Sequence, residues 1–131
     1  MFVDASAFCA ILLGEPDHFV MDQQIAAAET CRTSAIAVWE TVRALVREQQ
    51  TDVSAALEDV QAYLTNAGIQ IVPIGPREQC LAVEAFDRFG KGRHPAALNM
   101  GDCFAYACAR SLSEPLLYKG DDFSRTDIQS A

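Results

Sequence analysis

The 131-residue chain predicts an α/β fold: a mainly parallel, twisted central sheet with helices on both faces. Three observations predict it. Short apolar runs at residues 1–3, 69–74 and 115–118 are separated by longer stretches of helical periodicity. Gly, Pro and capping residues punctuate each junction, and the length suits one domain with a single real core and no room for a second.

The elements follow in order. The apolar start, Met1, Phe2 and Val3, reads as a buried strand that delivers Asp4 at its C-terminal end. Residues 5–13 form a helix stopped by Gly14 and Pro16, and 17–28 a second one. A short polar strand at 31–33 leads to Ser34, an N-cap for a third helix ending near Gln49. In that helix Ala35, Val38, Trp39, Val42, Leu45 and Val46 recur at threes and fours, which assigns them to its core face. A fourth helix, 52–66, ends before Gly68, and 69–74 is the strand richest in β-branched residues. Pro76 opens a helix to about Phe89. The basic, Gly-rich stretch 90–95 breaks all periodicity and reads as a mobile loop. Asn99 caps a helix over 100–111, residues 115–118 form the last strand, and Gly120, Asp121, Asp122 and Phe123 form a turn.

Composition narrows the function. A formal charge of −8 excludes nucleic-acid binding through the whole surface, so any such contact is local or metal-mediated. Five cysteines without CxxC spacing give neither a disulfide framework nor a zinc site, and read as buried small hydrophobes in a reducing compartment. No window suits a membrane span or a signal peptide, and a cytoplasmic location is expected. His18 and His94 lack partners at ligand spacing and read as surface residues, and no nucleophile elbow or Cys–His pair suggests covalent catalysis.

Chemistry is carried by acids. In a parallel sheet, Asp4 after the first strand and Asp121 and Asp122 after the last open onto one edge, where ligands bind. Hard oxygen ligands suit Mg²⁺ or Mn²⁺, and three or four convergent carboxylates could serve phosphodiester hydrolysis. Taken singly, each acid has an equally good local reading. Asp4 is an N-cap, Glu40 pairs with Arg43 or Arg47 on its helix, Asp102 sits in a first turn favoured by the macrodipole, and Asp121-Asp122 makes an Asx turn.

MFVDASA with Asp4 and Ser6, the helical Glu40, HPAALNMGDCFAYACA around Asp102, and LLYKGDDFSRTD together resemble, end to end, the PIN-domain ribonucleases, specifically VapC-type toxins of toxin–antitoxin pairs. The resemblance implies a three-layer α/β/α sandwich and Asp4, Glu40 and Asp102 as acids holding Mg²⁺ or Mn²⁺. It leaves the fourth acid among Asp122, Asp121 and Asp127, with Asp122 placed first. Ser6 is implied to act behind Asp4, orienting it or a water, though a local helix-start hydrogen bond explains it equally. Candidate phosphate contacts are Arg43, Arg47, Lys91, Arg93, Lys119 and Arg125, with Lys91 and Arg93 foremost. The implied reaction is hydrolysis of RNA by in-line attack of water with a 3′-hydroxyl leaving, a tRNA anticodon loop being one target. The implied partners are a VapB-type antitoxin, for which Phe8, Leu12, Phe19 and Val20 offer a groove, and a second copy in a homodimer. Two alternatives come from other classes: a signalling receiver domain, for which Lys119 near the last strand speaks, and a non-catalytic acidic binding module.

Overall fold

The computed structural model describes residues 1–131 and contains four strands and six α-helices. In chain order these are β1 (Phe2–Val3), α1 (Ala5–Leu12), α2 (His18–Ala27), β2 (Arg32–Ser34), α3 (Ala35–Gln49), α4 (Val53–Asn66), β3 (Gln70–Val72), α5 (Pro76–Phe89), α6 (Met100–Leu112) and β4 (Leu116–Leu117). The strands form one sheet in the order β3-β2-β1-β4, with every pairing parallel.

Strand alternation splits the interior into two cores. Phe2 and Leu116 point to one face, where they meet Ala85, Phe89, Tyr106 and Cys108 of α5 and α6. Val3 and Leu117 point to the other, where they meet Phe8, Met21, Leu45 and Val60 of α1 to α4. A sheet buried on both faces between two helical layers is the expected three-layer α/β/α sandwich.

Cap chemistry sets the helix ends. The side chains of Asp4, Ser34, Asp52 and Asn99 accept the Ser6, Ala37, Ala55 and Asp102 N–H groups at the starts of α1, α3, α4 and α6. Gly68 turns the chain at φ +65° between α4 and β3. The best-patterned strand is shorter than its apolar run: Pro73 brings no N–H to the ladder, and β3 lies at the sheet edge with Ile71 exposed.

Three expectations are corrected. The buried face of α3 is Ala37, Thr41, Val42 and Leu45, while Ala35 and Trp39 face outward. Small Ala37 and Thr41 lie against the interior because the Thr41 hydroxyl donates to Ala37 O (2.8 Å) and so leaves no unsatisfied group. The 90–95 loop is pinned rather than free: Leu98 N–H donates to Phe89 O, Lys91 N–H to Leu98 O, and both Arg93 and His94 N–H to Gly90 O. His94 is partly buried there, its Nδ1 accepting Ala96 N–H. Of the five free cysteines, Cys80 is exposed and Cys9 only partly covered. Beyond β4, the final turn continues into a 3₁₀ turn (Phe123–Arg125) anchored by buried Phe123, and the tail returns beside the sheet through a parallel Leu116–Ser130 bridge.

Candidate active site

The parallel sheet fixes where functional groups gather. Asp4 follows β1 directly, and α3 starts at the end of β2, so Glu40 in its second turn lies at the same C-terminal edge. Helix α6 runs back to the start of β4, which puts its own N-terminus, with Asp102, at that edge too. Three helix N-termini with their partial positive charge therefore face the place where the acids meet.

There Asp4, Glu40 and Asp102 line one cleft of about 240 Å³, together with Ser6, Cys9, Arg43, Arg47 and Asn99. Asp4 is 3 % exposed; its Oδ2 accepts Ser6 N–H (2.9 Å) and the Ser6 hydroxyl (2.6 Å), and Oδ1 accepts nothing. The Ser6 hydroxyl in turn accepts Lys119 N–H (2.9 Å), tying the end of β4 to the start of α1 behind the acid. Asp102 accepts Asn99 N–H on Oδ2 (2.8 Å) while Asn99 Oδ1 accepts Asp102 N–H (3.1 Å), a reciprocal capping box that leaves Asp102 Oδ1 free. Glu40 accepts no hydrogen bond from the chain.

None of the three acids is ion-paired, although the chain has eight ion pairs elsewhere. Their protonation reflects it. Burial and the neighbouring Asp4 and Asp102 charges push Glu40 up to about 7, against a smaller opposing pull from Arg43. Burial lifts Asp102 to about 6, with Asp4 and Asp122 adding to the rise against the Asn99 N–H. Burial also raises Asp4, opposed by its Ser6 bonds.

Gly101, which the sequence reading passed over, makes room for this arrangement. A Cβ there would lie 2.1 Å from Glu40 Oε1 and 2.2 Å from Oε2, so the carboxylate occupies the space a side chain would fill. Asn99, read as a cap alone, and Cys9, read as a hydrophobe, also line the cleft. The Gly101-Asp102 step, one residue beyond Met100 in the first turn after the Asn99 cap, is the signal the sequence holds for this close approach.

The other predicted residues divide clearly. Arg43 and Arg47 line the cleft, with Arg47 also held by Glu48 (2.7 Å). Asp121 and Asp122 are exposed and outside the cleft lining, and of the two Asp122 is near enough for its charge to bear on Asp102. Asp127 is elsewhere: it accepts the Tyr106 hydroxyl (2.6 Å) and pairs with Arg88 (2.8 Å), which hold it below the usual carboxylate range. Lys91 lines a separate apolar groove between α5 and α6 with Val83, Phe86 and Met100, and Arg93 pairs with Asp87 (2.9 Å) above the Phe86 ring. The Lys119 ammonium is held by Glu15 and Asp17, and Arg125 donates to Pro95 O (3.1 Å).

The donor set fits a hard divalent cation that keeps part of its water shell. The carboxylates do not close into a ready-made three-ligand cage, yet Mg²⁺ retains several waters and binds through one or two carboxylates. Free oxygens on Asp4 and Asp102 and an unpartnered Glu40 over Gly101 supply that number.

The PIN domain family model matches residues 1–129. Ribonuclease VapC42 of Mycobacterium tuberculosis is 36% identical over 132 residues, covering 100% of this chain and 98% of that protein. Ribonuclease VapC28 of the same organism is 39% identical, covering 100% and 97%, and ribonuclease VapC of Mycolicibacterium smegmatis is 37% identical over 128 residues, covering 98% and 97%. Among solved structures, M. tuberculosis VapC20, titled a sarcin-ricin loop cleaving toxin, superposes with a TM-score of 0.79 over 99% of this chain and 97% of that one; at 19% identity the likeness is one of fold.

Proposed function

This chain belongs to the PIN-domain family, and from that premise we propose that it is a Mg²⁺- or Mn²⁺-dependent endoribonuclease, the toxin of a toxin–antitoxin pair. The observation that carries the reading is three clustered carboxylates, none of which forms an ion pair although Arg43 and Arg47 line the same cleft. Keeping like charges together at partial burial is costly, and a bound cation is what offsets it.

Asp4, Glu40 and Asp102 would hold the cation, with Asp122 completing the site. The cation supplies positive charge for the scissile phosphate and for the water that attacks it. Ser6 keeps the buried Asp4 oriented, and Asn99 does the same for Asp102. Arg43 and Arg47 guide the phosphate backbone over the cleft. Water attacks in line and a 3′-hydroxyl leaves, so the 2′-hydroxyl is not needed as nucleophile. The target is exposed, unpaired RNA, a tRNA anticodon loop being one example.

The same reading places the chain in the cytoplasm with a VapB-type antitoxin and a second copy as partners. Exposed Phe19 and Val20 on α2 and half-buried Leu12 at the end of α1 support the antitoxin groove; Phe8, wholly buried, belongs to the core instead. Exposed Val83, Phe86 and Met100 support a dimer through α5 and α6. No helix is long and apolar enough to cross a membrane. The receiver alternative is set aside by the family match.

Purified protein incubated with an RNA mixture tests the reading: cleavage is expected with Mg²⁺ or Mn²⁺ and not in EDTA. Intact RNA under every metal condition would overturn it.

A further inference from the structure

Helix α3 turns its one large aromatic the wrong way for a core. Trp39 is 57% exposed, yet it precedes Glu40 in the chain and stands one turn before Arg43, and both of those line the acid cleft. The Arg43 guanidinium carbon lies 5.5 Å from the indole centroid. One stacked pair thus joins an exposed aromatic surface to the cleft itself.

Charge gives this surface a use. A chain of net charge −8 can hold a phosphate backbone only locally, and the cleft offers just Arg43 and Arg47. Contacts that do not depend on charge must then supply part of the affinity. Unpaired bases of single-stranded RNA stack on aromatic rings and on guanidinium planes, and a base in a duplex is not free to do so. The ledge is also separate from the apolar groove between α5 and α6, whose lining does not include Trp39.

We infer that Trp39 and Arg43 form a stacking ledge that receives an unpaired nucleobase of the RNA beside the cleavage site. The inference rests on the ribonuclease reading and adds to it a determinant of single-strand preference. Arg43 then serves twice, steering phosphate and completing the ledge.

Trp39 is the only tryptophan, so fluorescence excited at the red edge of the band, where the three tyrosines hardly absorb, reads this position alone. The full chain is titrated with a mixed-sequence single-stranded RNA in Ca²⁺ buffer, and with the same sequence as a duplex. Saturable quenching by the single strand and little by the duplex is expected. In parallel, anisotropy of labelled single-stranded RNA should show Trp39→Ala weakening binding about 5- to 150-fold, with Trp39→Phe recovering part of it. If RNA is cleaved in Mg²⁺ while Trp39 emission ignores the strand and Trp39→Ala binds like the parent, the ledge is wrong and Arg43 merely shields the indole; the ribonuclease reading stands. If emission becomes protected from acrylamide as protein concentration rises without RNA, a second copy covers Trp39 and the inference is likewise overturned. Absence of both binding and cleavage overturns the ribonuclease reading, and the ledge with it.

Discussion

Asp4 and Asp102 each divide two oxygens between two jobs. One oxygen caps a helix, and the other is left for the cleft. The cap reading and the catalytic reading of these acids are therefore compatible. Ser6 is the hinge of this scheme, because its hydroxyl donates to buried Asp4 and accepts from the end of β4. Ser6→Ala should lower cleavage about 10- to 100-fold, measured as kcat/KM on one RNA, with the fold retained. Asp127 is spent on Tyr106 and Arg88, so Asp127→Asn should leave cleavage unchanged and cost about 1 kcal/mol in urea denaturation, whereas Asp122→Asn should reduce cleavage. Glu40 gives a pH signature. Its folded value of about 7 exceeds the ordinary 4.5, so between those values the folded chain holds a proton the unfolded chain has released, and stability falls as pH rises through the window. In EDTA, wild type should lose more stability between about pH 5 and about pH 7.5 than Glu40→Gln does, and the variant should be the more stable at the upper pH.

At the scale of elements, most of the fold was legible because each boundary carries its own chemistry. Ser34, Asn99, Pro76 and Gly68 mark helix ends whatever packs around them, and the alternation of strand and helix implies the parallel sheet. The face of α3 was not legible in the same way. Periodicity counts apolar residues, but α3 touches α1, α4, α6 and β2 at once, which selects small Ala37 and Thr41 for the interior and sends Trp39 out. Nor could spacing reveal that Asp127 turns to Tyr106, that Lys91 lines another groove while Arg93 pairs with Asp87, or that Gly101 leaves room for Glu40, since each depends on how the folded elements meet. Gly101→Ala tests the last point. Alanine favours the helix, yet its Cβ would displace the Glu40 carboxylate. The expected result is a folded protein with cleavage reduced about 10- to 100-fold, partly restored by adding Glu40→Asp, whose shorter side chain retreats from the new methyl group.

For the whole molecule, the three-layer sandwich collects charge of one sign at one sheet edge and leaves two cations there to meet RNA. Binding to single-stranded RNA should accordingly depend weakly on salt, with a log–log slope of about −1.4 for two phosphate contacts; a much steeper slope would mean a basic surface outside the cleft. The central claim is that Asp4, Glu40 and Asp102 form a cation site that cuts RNA. Cleavage of one defined single-stranded RNA by wild type, Asp4→Asn and Asp102→Asn, side by side across a Mn²⁺ titration, tests it most directly. Mn²⁺-dependent cleavage by wild type, lost or nearly lost in both variants while their circular dichroism is unchanged, is the predicted result; undiminished cleavage by either folded variant would contradict it.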